Sequence, residues 1–163
     1  MKHKLFILLI TFLIVGCSTG SFKKTKYRYL ANSDDPQLEF TSDFVKAYYQ
    51  PVYFTLNIVT PEQNRCSDFN TVGYYYPIKT FFHYPRMVTN LNASVPANKL
   101  VSIESHYDMG NLYCYAPIKQ FTAEKGKNYQ INFKVENGYC ELHVIDKQTS
   151  QPVKAQVKKA CTK

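Results

Sequence analysis

Between residues 52 and 59 the chain alternates, with Val52, Phe54, Leu56 and Ile58 on one side of an extended backbone and Tyr53, Thr55 and Asn57 on the other. A period of two marks a strand with one buried face. The pattern recurs at residues 100–107, where Val101 and Ile103 share a face with Ser105 and Tyr107. It is sharpest at 129–136, where Tyr129, Ile131, Phe133 and Val135 alternate with Gln130, Asn132, Lys134 and Glu136. Asn137-Gly138 follows, the strongest two-residue hairpin signal, because a type I′ turn needs positive φ at both positions. With Glu136 opposite Tyr139, Val135 faces Cys140, Phe133 faces Leu142 and Ile131 faces Val144. A slip of one residue would break all three apolar pairings.

Shorter strands are expected at residues 27–30, 37–41 and 112–115, with a final one in which Val153, Ala155 and Val157 alternate with Lys154, Gln156 and Lys158. Turn chemistry separates them at 32–36, 108–111 and 146–152, and a loop is expected at 60–72. Residues 41–49 fit either a two-turn helix, capped by Ser42 or Asp43 and burying Phe44 and Tyr48, or a further strand; Pro51 ends it either way. Residues 73–86 hold the densest aromatic run, including Tyr74, Tyr75, Tyr76, Phe82 and Tyr84, closed by Pro85-Arg86. They suit an irregular loop with short strand pieces, packed inward or presented to a partner. The sum is an all-β chain folded as a single antiparallel β-sandwich.

One stretch escapes both periods. Residues 5–15 are almost unbroken apolar, preceded by Lys2 and Lys4 and followed by Gly16-Cys17. About eleven apolar residues are too few to cross a bilayer core, which takes ~20 in helical form. Positive charge, apolar run and small residue together make an export signal. Leu13-Ile14-Val15-Gly16-Cys17 also resembles the lipobox of bacterial lipoproteins. That resemblance implies cleavage before Cys17, acylation of the thiol and attachment to a membrane. Ser18, rather than aspartate, in the next position implies the outer membrane, facing the periplasm. The organisation expected is a removed signal at 1–16, a lipidated cysteine and flexible tether at 17–26, and a sandwich domain at 27–163. In the tether Lys23, Lys24 and Lys26 either rest on anionic headgroups or simply keep a linker solvated.

Removing 16 of the 163 residues leaves 147, enough for one domain with a real core. The signal takes two of the twenty basic residues, so eighteen remain against twelve acidic, a net charge of +6. That excess favours an anionic partner or surface, unless the lysines are merely scattered over polar strand faces. Fourteen tyrosines, eleven phenylalanines and no tryptophan suit strands better than a helical bundle. With Cys17 spent on lipid, Cys66, Cys114, Cys140 and Cys161 remain, an even number in an exported chain and so two candidate disulfides. The pairing expected is Cys66 with Cys114 and Cys140 with Cys161.

The sequence lacks a GxSxG elbow, an HExxH helix, a P-loop and a GxGxxG turn. Asp34-Asp35 lies in a turn, where carboxylates usually cap. His106 and Asp108 share a strand face without a third ligand, and His143 and Glu141 fall on the outer face of the hairpin. No catalytic residue, metal or cofactor is therefore expected, nor a nucleic-acid module. Residues 144–153 resemble a strand-turn-strand of transthyretin-like β-sandwich modules, and the mature chain resembles the small bacterial lipoproteins that carry such domains. The resemblance implies an immunoglobulin- or transthyretin-like sandwich working through an envelope protein partner, as an accessory or structural module. Two alternatives stay open: an inhibitor or immunity protein that blocks a hydrolase with residues 74–86, and a small-molecule or glycan binder that uses surface tyrosines.

Overall fold

The computed structural model describes residues 25–43, 52–63, 65, 68–75, 91–108 and 113–160. Eleven strands form among them: β1 (Gln37–Ser42), β2 (Val52–Ile58), β3 (Asn70–Tyr75), β4 (Leu91–Ser94), β5 (Lys99–Asp108), β6 (Tyr113–Tyr115), β7 (Ile118–Ala123), β8 (Asn128–Glu136), β9 (Tyr139–Asp146), β10 (Gln151–Pro152) and β11 (Gln156–Lys158). They divide into a five-stranded sheet, ordered β10-β9-β8-β1-β4, and a six-stranded sheet, ordered β11-β7-β5-β2-β3 with β6 also on β5. Apolar residues of the two sheets meet in one core. Phe40 lies 5.1 Å from Phe54 between ring centroids, and Phe121 lies 5.0 Å from Tyr129, each pair spanning the sheets. The molecule is a β-sandwich.

The β8–β9 hairpin has the register read from the sequence, with Glu136 opposite Tyr139, Val135 opposite Cys140, Phe133 opposite Leu142 and Ile131 opposite Val144. Asn137 and Gly138 take φ of 52° and 82°, as the type I′ turn demands. Two features differ from a plain antiparallel sandwich. Strand β1 lies parallel to β8, Leu38 opposite Tyr129 and Phe40 opposite Ile131, while the other pairings are antiparallel. Parallel neighbours need a long crossover, and here the connection runs through both sheets before returning. The second feature is the face of the six-stranded sheet turned away from the core. Thr55, Asn57, Ser102, Glu104 and Gln120 alternate as solvent-facing positions should, yet all five are buried. Hydrogen bonds offset the loss of water: Thr55 Oγ1 donates to Glu104 Oε2 at 3.2 Å, Asn57 Nδ2 donates to the Gln63 carbonyl at 2.9 Å, and Gln120 Nε2 donates to Ser102 Oγ.

Several expected elements shift. Residues 27–30 are extended but form no strand; Lys26 alone makes a parallel bridge to Thr71. The expected loop at 60–72 and the aromatic run contain β3, whose central Gly73 approaches β4 so closely that a methyl there would sit 2.6 Å from Leu91 Cδ1. Strand β7 forms at residues to which the hydrophobic pattern assigned no element. The last strand is shorter than expected, and Val157 is exposed rather than inward because β11 pairs only along the rim of β7.

The cysteine pairing is also corrected. Cys114 of β6 is bonded to Cys140 of β9, their Cα atoms 5.9 Å apart, so the bond ties one sheet to the other. The register explains the choice: Cys114 is opposite Tyr107 and Cys140 opposite Val135, both inward positions that face each other across the core. Cys66 and Cys161, along with the ambiguous segment 44–49, lie outside the described residues.

Candidate functional site

Of the aromatic residues expected to form a partner surface, the two that are described, Tyr74 and Tyr75, face different ways. Tyr74 and Tyr75 are consecutive on β3, so strand geometry sends them to opposite faces. Tyr75 packs against the core, where burial, with smaller contributions from Asp43 and Glu39, raises its phenol pKa. Tyr74 points outward and is 44% exposed. Tyr76, Phe82, Tyr84 and Arg86 lie outside the described residues, as does the lipidation candidate Cys17.

Register assembles a different set around Tyr74. Tyr53 pairs with Tyr74 on one side and His106 on the other, and His106 pairs with Tyr115. The rings meet in sequence across four strands, Tyr74 edge-on to Tyr53 at 5.8 Å and Tyr53 stacked on His106 at 5.2 Å. His106 then stacks on Tyr115 at 4.8 Å, and Tyr113 closes the row edge-on to Tyr115 at 6.1 Å. These centroid separations are those of favourable aromatic pairs. The row crosses the outer face of the six-stranded sheet, immediately beside the buried Thr55–Glu104 pair. Tyr113 is 68% exposed at its end. In the sequence, His106 with Asp108 lacked the third ligand that a metal or acid/base site needs; in the fold its imidazole is held between two phenol rings. The outward parity of Tyr53 was legible from alternation, but neighbours on other strands were not.

Other candidates resolve into structural roles. Asp35 is nearly buried and closes its turn, accepting from the Asn32 amide at 2.7 Å, the Tyr29 hydroxyl at 2.9 Å and the Ala97 amide at 3.1 Å. Those donors, the Asn32 amide foremost, hold its carboxyl below the usual range. Asp34 pairs with Lys125 at 3.0 Å. Glu136, Glu141 and His143 bring one ligand atom each within 4.8 Å of the others on the outer hairpin face. Lys134 stands 3.9 Å from Glu136 and 3.6 Å from Asp43, so a cation already neutralises this neighbourhood.

The clefts among the described residues include two of note. One, of about 250 Å³, opens beside β9 and is lined by Lys119, Leu142, Val144, Val153 and Ala155 among others. The second, of about 600 Å³, lies between residues 26–30 and the β3 and β4 edges. Neither is lined by the ring row. Comparison with protein-family models, with curated proteins and with solved structures found no match.

Proposed function

We propose that the chain is a non-enzymatic lipoprotein of the bacterial cell envelope, anchored through Cys17 at the periplasmic face of the outer membrane. Its immunoglobulin- or transthyretin-like domain serves as an accessory or structural module that contacts an envelope protein. The observation that carries this is the outward row of Tyr74, Tyr53, His106, Tyr115 and Tyr113. Small-molecule sites are concave, whereas a sheet face studded with tyrosine is the material of a protein interface. A glycan pocket lined by these tyrosines would need a hollow, and the two clefts described above have other walls. The inhibitor alternative rests on residues 74–86, of which only Tyr74 and Tyr75 belong to the described structure. A disulfide between the sheets suits an oxidising compartment and supports export.

Tethering contributes by raising the local concentration of the face near the membrane, so tight affinity is not required. The test is crosslinking in whole cells followed by mass spectrometry, with Cys17→Ser as the unanchored control. A partner recovered with the native chain should disappear with Tyr74→Ala combined with Tyr113→Ala, exposed positions whose truncation leaves the core intact. Recovery of the same partner by the double variant would reject the ring row as the contact.

A further inference from the structure

The chain enters the domain along a strip whose two faces differ in kind. Residues 25–27 run beside β3, the Tyr27 amide donating to the Thr71 carbonyl at 2.8 Å and the Thr71 amide to the Thr25 carbonyl at 2.7 Å. Beyond them the alternate side chains are fastened down. The Tyr27 hydroxyl donates to the Ser94 carbonyl at 2.9 Å, and the Tyr29 hydroxyl donates to Asp35 Oδ2 at 2.9 Å. Alternation then leaves Lys26, Arg28 and Leu30 exposed, Leu30 at 95% of its full surface. All three line the cleft of about 600 Å³, whose remaining walls include Val72, Asn92 and Ser94.

Nothing within the described structure answers these groups. Neither Lys26 nor Arg28 has an ion-pair partner among the described residues, and the nearest carboxylates along the chain are taken, Asp34 by Lys125 and Asp35 by its turn. An extended strip presenting two cations and a bare leucine beside a cleft has the composition of a surface that lies at a membrane interface, cations at the headgroups and the apolar side chain below them. Position agrees with composition. Thr25 follows Cys17 by eight residues, which reach at most ~29 Å when fully extended.

We propose that this strip and cleft dock on anionic phospholipid headgroups of the bilayer that holds the lipid anchor, a step that rests on the lipoprotein assignment made above. Lys26 and Arg28 take the phosphate oxygens, the guanidinium in bidentate fashion. Leu30 enters the boundary with the acyl chains. Docking would fix how the sandwich stands on the membrane and therefore which way the ring row faces.

The chain has no tryptophan, so Leu30→Trp introduces a single reporter. The acylated variant is placed in vesicles of phosphatidylcholine alone or with phosphatidylglycerol. Blue-shifted emission, quenched by doxyl-labelled lipid in the anionic vesicles, is the expected result. Water-like emission from vesicle-bound chain would overturn the proposal. Charge is tested in the Cys17→Ser background by sedimentation with the same vesicles. Lys26→Gln and Arg28→Gln should each weaken binding roughly fivefold, whereas Lys154→Gln with Lys159→Gln, at the opposite edge of the six-stranded sheet, should leave it unchanged. Equal loss from both pairs would show a diffuse charge effect and reject the strip. If palmitate is never incorporated but the emission still shifts in anionic vesicles, the lipoprotein assignment falls and the docking strip stands.

Discussion

Asp35 shows how one side chain decides the course of a whole segment. Its two oxygens accept hydrogen bonds from Asn32, Tyr29 and Ala97, so the turn, the entering strip and the loop after β4 all converge on a single carboxylate. Because these donors favour the ionised form, the folded chain binds that proton less readily than the unfolded chain does. Ionisation therefore adds stability at neutral pH, and the contribution is lost as pH falls below the ordinary value of 3.8. Asp146 behaves alike, its carboxyl lowered first by the Gln148 amide and then by Thr149 and Lys127. Asp35→Asn is expected to lower the thermal midpoint at pH 7 and to flatten its decline between pH 5 and pH 2, measured by circular dichroism. An unchanged pH profile would mean that this carboxylate is not a source of acid sensitivity. The sequence placed Asp35 in a turn and favoured capping there; its distant partner Ala97 could not be read, since nothing local announces a contact between residues so far apart.

Among the elements, the β8–β9 hairpin was legible in full because two independent signals agree. Alternation assigns the inner face, and Asn137-Gly138 sets the register that keeps every inward pair apolar or cysteine. Gly138 sits at φ 82° with nothing within 4 Å of an added Cβ, so substitution meets backbone strain and no clash. Gly138→Val should cost about 1–2 kcal/mol in urea unfolding while leaving β8 and β9 in register. Strands β3 and β7 were hidden for different reasons. In β7 the apolar Ile118 shares a face with Gln120 and Thr122 while Lys119 shares one with Phe121 and Ala123, so polar and apolar residues mix on both faces and no period emerges. Asn70–Tyr75 is an edge strand with one buried neighbour, and its half-buried residues carry little contrast. The ring row failed to appear in the sequence for a related reason: alternation orders side chains along one strand, whereas stacking depends on which strands become neighbours.

At the scale of the whole molecule, the all-β class and the single sandwich followed from repeated alternation and turn chemistry, but the pairing of strands and of cysteines did not. Sequence separation says little about which sheets will face each other. The Cys114–Cys140 bond closes a loop of 26 residues and joins the layers where β6 passes over β9. Replacing both cysteines with alanine should cost about 3.5 kcal/mol by the chain-entropy model and lower the melting temperature by roughly 10 °C, as calorimetry would record. An unaltered midpoint would show that the two sheets hold together by packing alone. Finally, the hydrogen bonds between Thr25, Tyr27 and Thr71 occupy part of the outer rim of β3. Proteolytic trimming past Leu30 would leave Asn70–Tyr75 as an open template, and a second copy presenting the same uncovered rim is the natural complement. Trimmed protein should therefore elute from a sizing column as dimers or larger species while the intact chain stays monomeric, making the entering strip a guard against self-association.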